Sequence, residues 1–441
     1  MSLIKNKHTS PDLYRSLYFI SYPFLSFVFY FDIIVFLLLI TTALSQTTFE
    51  LASAFYYIKW AVLIFFLVFE YLMINFLSLN KNNKHNFKIP KSFFYLLIFL
   101  IYIFVTALYS EDIITSIFKS VTFFLLIFST LIIMPLLGTR LSRRDAIFRY
   151  IYVFLIFTLV MNFLALNFYP ITKYSQNLII RFRGFFENPN TLGMFCFVAL
   201  PFLLYKYKIT NSRLHKFLNF LFIIIAVILP MIAASRASLL GIAIVLAVYF
   251  YYYYRRLFYI GTILSLATIF FVLISPVLLE LMRLAEDPLS FRDKIWGLGL
   301  AAWKKHFFFG AGYGTTVDFT NNKYLFLTKG LPEFVLGKRL NNIYIEILYE
   351  TGVIGLILFL TSMFFLIKET LQAVKNSIGN DKTLSICYFG LLIAVVFQGF
   401  FESFLLSAGN CSSLLFWILT GLVLVKNNKI DTKSPGKIIE V

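Results

Sequence analysis

The sequence predicts an all-α fold: a polytopic integral membrane protein with about twelve transmembrane helices, both termini cytoplasmic, and one large external loop before the third-last helix. Three observations lead to this prediction. Of the 441 residues, 60% are hydrophobic and only 14% are charged, which is too little polar surface for a soluble protein of this length. Apolar runs of roughly 20 residues, enough to cross a bilayer, recur along nearly the whole chain. Basic residues are concentrated in every second connection between those runs.

The individual helices are predicted from the apolar runs, which we treat as one transmembrane domain over residues 1–441. The first run is long enough to tilt in the bilayer or to contain a break. The twelve runs lie near 18–44, 51–79, 92–109, 117–137, 147–167, 191–207, 217–234, 237–254, 258–276, 343–367, 384–404 and 408–425.

The net charge of +18 is explained by the orientation of the chain in the membrane. Connections 45–50 and 110–116 hold acidic residues and no basic one, whereas the connections that alternate with them are basic. The positive-inside rule places the basic connections and both termini in the cytoplasm. We therefore expect the lipid bilayer, and not a nucleic acid, to be the partner of this surface. Basic residues on the cytoplasmic side include Lys5, Lys84, Arg140, Arg144, Lys206, Arg255, Lys375 and Lys433.

Two external connections are long enough to form a site, residues 168–190 and the large loop at 277–340. Within the large loop, residues 291–303 are predicted to form a helix on or near the membrane interface. The segment Gly310-Ala-Gly-Tyr-Gly314 supplies backbone freedom, but it lacks the Lys of a phosphate loop, so nucleotide binding is not expected. The four histidines and three cysteines lack the spacing of metal ligands, so neither a metal nor another cofactor is predicted.

Three external arginines, Arg181, Arg183 and Arg236, are the most specific chemical feature, because the charge rule disfavours positive residues on this side. Guanidinium groups match phosphate oxygens and remain charged when partly buried. A single arginine here would be read as contacting lipid phosphates; several together favour an anion site. Asn190 or Thr191 is expected to cap the helix that follows, which would bring free backbone amides close to the arginines.

Carboxylates occur near the start of the span after the large loop. Glu346 and Glu350 are one turn apart and so share a helix face. Glu346 is equally compatible with an interfacial position and with a cavity, whereas the deeper Glu350 favours a functional role or an ion pair. Lys59 and Glu402 are further polar groups in or near spans, and the sequence does not identify their partners.

Five motifs in order along the chain together resemble the O-antigen ligase and O-antigen polymerase superfamily of bacterial inner-membrane glycosyltransferases. They are Arg181-Phe-Arg-Gly-Phe-Phe-Glu-Asn-Pro-Asn190, Ser235-Arg-Ala237, Phe291-Arg-Asp-Lys-Ile-Trp296, Gly310-Ala-Gly-Tyr-Gly314 and Asn341-Asn-Ile-Tyr-Ile-Glu-Ile-Leu-Tyr-Glu-Thr-Gly352. The resemblance covers roughly residues 180–355. Each motif is loose, and the match depends on their order and their shared external side.

The resemblance implies a metal-independent enzyme of lipopolysaccharide biosynthesis in the bacterial inner membrane, with the large loop in the periplasm. Such proteins transfer a glycan from a polyprenyl-diphosphate carrier to another carrier-linked glycan, as polymerases do, or to the lipid A core, as ligases do. It also implies contact with other membrane proteins of polysaccharide assembly. Arg181 and Arg236 match the family's diphosphate-binding arginines, and Arg183 is an additional one. Arg292, Asn342 and Tyr344 lie in the same motifs and are expected to bind substrate.

The chain departs from the ligase pattern at Asn341, where ligases of this family usually carry a His that is thought to activate the acceptor. An amide orients a hydroxyl but does not accept its proton at neutral pH. The polymerase is therefore the first prediction and the ligase the alternative. With Asn341 as a catalytic residue that orients the acceptor, the replacement bases are Glu187, Glu346 and His306.

Two rival classes remain open at the level of the sequence. A transporter or flippase for a lipid-linked glycan would also need external arginines, although such proteins often show internal repeats and this chain shows no convincing one. A cell-wall polymerase with a multi-helix core would need an essential acid in the large loop. The candidates for that acid are Glu280, Glu286, Asp287, Asp293 and Glu333.

Overall fold

A computed structural model describes residues 33–78, 90–133, 144–168, 172–175, 178–275, 292–315 and 340–424. Each of the twelve predicted spans corresponds to an apolar helix, and a thirteenth helix lies in the large loop. The helices are α1 Ile33–Leu44, α2 Ala52–Ser78, α3 Lys91–Ala107, α4 Ile113–Phe128, α5 Arg144–Leu164, α6 Pro189–Ile209, α7 Arg213–Ile232, α8 Arg236–Tyr253, α9 Arg255–Ile274, α10 Arg292–Trp303, α11 Ile343–Asn376, α12 Gly379–Gln398 and α13 Cys411–Leu424.

The prediction of an all-α polytopic membrane protein is confirmed. In the described ranges, eight helices are long and apolar enough to cross a membrane, and α1, α3 and α13 are shorter apolar helices. One small addition was not predicted: residues 172–175 and 178–181 pair as an antiparallel hairpin, β1 and β2, in the connection before α6. Both termini, and the part of the first predicted span before residue 33, lie outside the described residues.

Several helix boundaries differ from prediction because hydropathy marks the membrane and not the end of a helix. Helix α11 continues to Asn376, beyond the predicted end at 367, and carries charged residues in its last turns. One of them, Glu369, accepts hydrogen bonds from the backbone N–H groups of Lys91 (2.6 Å) and Ser92 (3.2 Å). Those N–H groups have no partner within α3, so a carboxylate from α11 satisfies that helix start.

Helix α6 lies at the centre of the bundle. Its membrane window is 78% buried, compared with 22% for α2 and α7. A helix that is apolar on all sides and buried forms a protein core, whereas exposed apolar faces such as those of α2 and α7 are expected to contact lipid. The three cysteines, Cys196, Cys387 and Cys411, are free and buried in α6, α12 and α13, as expected for small apolar packing residues.

The connections predicted to be external lie together at one end of the bundle, which we call the external end. The backbone N–H of Thr48 donates to the carbonyl of Phe185 (2.9 Å), and that of Glu187 donates to the carbonyl of Gln46 (2.9 Å). The Gln46 side chain in turn accepts from the N–H of Cys411 (2.9 Å). These bonds join the α1–α2, α5–α6 and α12–α13 connections, so the predicted alternation of sides is reproduced in the fold.

Helix α11 is broken at Gly352, whose φ of 68° and ψ of −171° are not helical. The segment after α10 fills the break. The N–H groups of Ala311 and Gly312 donate to the carbonyls of Tyr349 and Glu350, both at 2.9 Å. Non-helical backbone at membrane depth is tolerated only where such partners satisfy it. The glycine-rich motif of the large loop therefore completes a transmembrane helix.

Candidate functional site

A polar cavity of about 770 Å³ lies at the external end, within the range typical of ligand sites. Its walls come from the residues just after α1, from the first turns of α2 and from α4. The starts of α6 and α11 and the connection between α12 and α13 complete them. Helix ends supply unpaired backbone groups and loops supply polar side chains, so a polar space is expected where so many of them meet.

Four carboxylates line the cavity: Glu187, Glu346, Glu350 and Glu402. The first is exposed, whereas Glu350 and Glu402 are 5% and 8% exposed. A Glu346 carboxylate oxygen accepts hydrogen bonds from the Ser403 hydroxyl (2.7 Å) and the Asn341 backbone N–H (3.2 Å). These bonds hold the Glu346 carboxylate between the start of α11 and the α12–α13 connection.

Two lysines also line the cavity. Lys59, on α2, is 5% exposed, and its ammonium donates to the Ser45 hydroxyl (3.1 Å) and the Gly409 carbonyl (3.4 Å). Lys119, on α4, donates to the carbonyl of Gly314 (2.6 Å). The sequence singled out Lys59 without identifying its partner, and it did not single out Lys119. A cation inside a predicted span, apart from the cytoplasmic connections, was the signal that could have found it.

Arg181 lies beside the cavity, and its side chain is hydrogen-bonded to other residues of the protein. Its guanidinium donates to the carbonyls of Ala233 (2.8 Å) and Ala234 (2.9 Å) and to the Asn190 side chain (2.9 Å). Carbonyls at the end of a helix lack intrahelical partners, so this arginine caps the C-terminus of α7. The other two external arginines do not line the cavity: Arg183 is exposed and donates to the Glu187 carbonyl (3.3 Å), and Arg236, half-buried, is the first residue of α8.

The helix cap predicted at Asn190 or Thr191 is wrong by two or three residues. Helix α6 begins at Pro189, and the side chain of Asn188 accepts from the N–H of Asn190 (2.8 Å). Proline is favoured at the first helical position, which moves the cap one residue before it. The Asn190 side chain is thereby available to bridge Arg181 and Glu402, donating to the latter at 2.9 Å.

Arg292, at the start of α10, forms an ion pair with Glu402 at 3.0 Å and also donates to the carbonyl of Phe401. Burial raises the pKa of Glu402, and the Arg292 guanidinium offsets part of that rise. The ion pair and the bond from Asn190 together join α10, the start of α6 and the α12–α13 connection. Removing only one member of such a buried ion pair is costly, because it leaves the other charge buried without its partner.

The remaining predicted residues fall into two groups. Asn341 lines the cavity with a φ of 49°, a conformation that Asn tolerates better than most residues. By contrast, Asn342 is buried and caps α11, accepting from the N–H groups of residues 344 and 345 at 3.1 Å each. The Tyr344 hydroxyl donates to the carbonyl of Val396 (2.6 Å). His306 is exposed and is not among the cavity-lining residues.

The structure thus brings Glu187, Asn341 and Glu346 into one cavity. It leaves His306 outside that cavity and places Arg292 in an ion pair. In the described part of the chain, no three His, Cys, Asp or Glu side chains are grouped as metal ligands. Of the loop acids considered for a cell-wall polymerase, Asp293 is exposed on α10, and the other four lie outside the described residues.

The fold and the cavity define a polytopic α-helical membrane protein with a polar site at one end of its bundle. The model of a family described as O-antigen ligase matches residues 220–360, a span that includes α8, α9, α10 and the break in α11. This partial match supports a relationship between the chain and the O-antigen polymerase and ligase superfamily. No curated protein sequence matches the chain.

Proposed function

We propose that the chain is an O-antigen, or surface polysaccharide, polymerase of the bacterial inner membrane. It would transfer a glycan from a polyprenyl-diphosphate carrier to a second carrier-linked repeat unit at the periplasmic face. The observation that carries this proposal is the cavity at the external end, which is lined by Glu187, Asn341 and Glu346 together with two lysines. Such a site suits a substrate with an anionic headgroup, a polar glycan and a lipid tail.

The proposed reaction is a single displacement. The acceptor hydroxyl oxygen attacks the anomeric carbon of the donor glycan and forms the new glycosidic bond. The bond from that carbon to the diphosphate oxygen breaks, and the polyprenyl diphosphate leaves with the electron pair. The hydroxyl proton passes to a carboxylate of the protein. Cations near the leaving group stabilise the charge that develops on it.

Glu187 is our first candidate for the base. Its side chain lines the cavity and is exposed there, while its backbone is held by the α1–α2 connection. Glu346 is the second candidate, because one of its carboxylate oxygens already accepts two hydrogen bonds from the protein. The Asn341 amide, held next to Glu346, would orient the acceptor hydroxyl.

The arginines take separate parts in this proposal. Arg181 is a positioning residue, since its guanidinium already fixes the end of α7 and the Asn190 side chain. Arg183 and Arg236 remain candidates for contacts to the carrier phosphates at the rim of the site. Arg292 acts through Glu402, and not on substrate.

The test is a gene replacement in the source bacterium with the surface glycan run on a gel. If the protein is a polymerase, loss of the gene should reduce the ladder of long chains to core that carries one repeat unit. Glu187→Gln at normal protein level should give the same collapse. If all glycan is lost from the core while long carrier-linked chains accumulate, the protein is a ligase, and Asn341 is compatible with that chemistry.

A reaction with purified protein separates an enzyme from a transporter. Detergent-solubilised protein incubated with carrier-linked repeat units should form longer chains and release polyprenyl diphosphate. A flippase would produce neither. The family match gives the flippase no support, but folded protein that forms no longer chains and releases no polyprenyl diphosphate would restore it.

A further inference from the structure

We propose that Lys59 and Lys119 form a binding site for the diphosphate of a carrier lipid, with the prenyl chain leaving the cavity between α2 and α4. This inference rests on the proposed function and assigns one of its substrates to a particular wall of the cavity. The wall lies outside the matched family segment at 220–360 and outside the external arginines.

Two helix faces with the same spacing build this wall. Helix α2 contributes Tyr56, Lys59 and Trp60, and α4 contributes residues 115, 118, 119 and 122. Residues separated by three, four and seven positions lie on one face of a helix. Each face therefore presents a lysine and an aromatic ring side by side to the same space.

The two faces meet through their aromatic rings. The centroids of Trp60 and Phe118 are 5.7 Å apart in an edge-to-face arrangement. Lys59 and Lys119, the sequence neighbours of these rings, both line the cavity, and the Lys59 ammonium lies 5.3 Å from the centroid of the Trp60 ring. Because α2 is only 22% buried in its membrane window, the wall borders the lipid-facing surface. A prenyl chain passing beside these rings would enter the bilayer directly.

Charge argues for an anionic ligand at this wall. Lys59 is 5% exposed, and its ammonium contacts two neutral hydrogen-bond acceptors and the rings of Tyr56 (4.4 Å) and Trp60 (5.3 Å), none of which carries a negative charge. An ammonium at membrane depth is costly and normally indicates a functional partner. Glu187 interacts with it electrostatically but is not hydrogen-bonded to it. A diphosphate carries enough negative charge to engage both lysines at once.

A second polar group on the same face lacks a partner. The buried indole N–H of Trp60 has no acceptor among the described residues, and buried donors of this kind are normally satisfied. A phosphate oxygen held by Lys59, one residue away, would supply the acceptor after a small adjustment of the ring. The observation is independent of the lysine charges and indicates the same ligand chemistry.

The binding test uses the full chain purified in detergent, with farnesyl diphosphate and inorganic diphosphate as probes. Lys59→Gln and Lys119→Gln should each weaken both probes about tenfold, the typical effect of one charge-assisted hydrogen bond. Phe118→Ala should weaken farnesyl diphosphate and leave inorganic diphosphate unchanged. Lys304→Gln is the matched control, because Lys304 is an exposed lysine beyond α10 that does not line the cavity.

Two further variants distinguish a structural role of Lys59 from a role in binding the diphosphate. Ser45→Ala removes a hydrogen bond of Lys59 and keeps its charge, so affinity for both probes should remain. Lys59→Arg keeps the charge and should retain most of the binding, which preserves the test if the neutral variant does not fold.

Unchanged affinity in Lys59→Gln and Lys119→Gln would overturn the lysine site and leave the proposed function standing. Equal competition by phosphatidylglycerol would also overturn it, because the site would then bind lipid phosphates in general. A wild-type protein that binds neither probe would instead remove the lipid-linked donor on which the proposed function depends.

Discussion

Gly352→Ala tests whether the break in α11 is required by the fold. The φ of 68° and ψ of −171° at Gly352 lie in a region that is essentially restricted to glycine, and another residue there costs about 1–3 kcal/mol. A Cβ atom would also lie 2.1 Å from the carbonyl oxygen of Phe308. That oxygen belongs to the backbone, so the segment after α10 has to move away.

The movement would disrupt two hydrogen bonds across the break, from the N–H of Val353 to the carbonyl of Phe307 (3.0 Å) and from the N–H of Ile354 to that of Phe308 (3.4 Å). At about 1 kcal/mol for each bond, the total destabilisation is roughly 3–5 kcal/mol. With the usual unfolding entropy per residue and one transition for the whole chain, the apparent Tm should fall by about 3–5 °C.

The assay is thermal unfolding of the detergent-purified protein at a fixed scan rate. Gly297→Ala is the control, since a Cβ atom at Gly297 in α10 meets nothing within 4 Å and alanine is the better helix former by about 1 kcal/mol. Gly310→Ala acts on the other side of the same contact. The fall in apparent Tm of the double variant should therefore be smaller than the sum of the falls of the two single variants. An apparent Tm for Gly352→Ala equal to that of the control would refute the reasoning.

Three more outcomes follow from the site. Arg181→Lys should lower the apparent Tm, because a lysine cannot reproduce the three guanidinium bonds, while affinity for farnesyl diphosphate stays the same; a loss of affinity at unchanged Tm would make Arg181 a substrate ligand. Glu187→Gln should reduce the rate of chain extension at least a hundredfold, and Glu346→Gln should reduce it less; the reverse order would move the base to Glu346. Because the pKa of Glu402 in the fold is raised above its ordinary value of 4.5, the protonated carboxyl favours the folded state. This contribution to the free energy of unfolding is complete below pH 4.5, and it is lost in the interval between pH 4.5 and the raised pKa. Glu402→Gln should therefore show a flatter dependence of Tm on pH across that interval, and an unchanged slope would contradict the assignment.

The number and order of the membrane helices could be predicted because hydropathy is a local property. Each predicted apolar run coincides with a helix, and the alternation of basic and acidic connections correctly grouped the loops that meet at the external end. Helix boundaries were predicted less well, since α11 continues as a charged helix beyond its apolar run. Backbone hydrogen bonding, and not hydropathy, ends a helix.

The candidate site was predicted in part. Glu187, Asn341 and Glu346 were singled out from short motifs, and the structure places them in one cavity. Arg181 was singled out by its external charge and its motif, and Arg292 by its motif. Neither signal distinguishes an arginine that caps a helix or forms an ion pair from one that contacts a ligand. Their partners, the α7 carbonyls and Glu402, are distant in sequence and are brought to them by the packing of helix ends.

The sequence by itself therefore determined that this chain crosses a membrane many times and gathers its polar chemistry on one side, because the cost of polar groups in lipid is imposed residue by residue. Only the tertiary structure decided which polar groups share a space. Lys59 and Lys119 come from different helices and become one wall through the contact of two aromatic rings. The role of Gly352 likewise depends on a loop segment about forty residues earlier that satisfies the backbone of a broken helix.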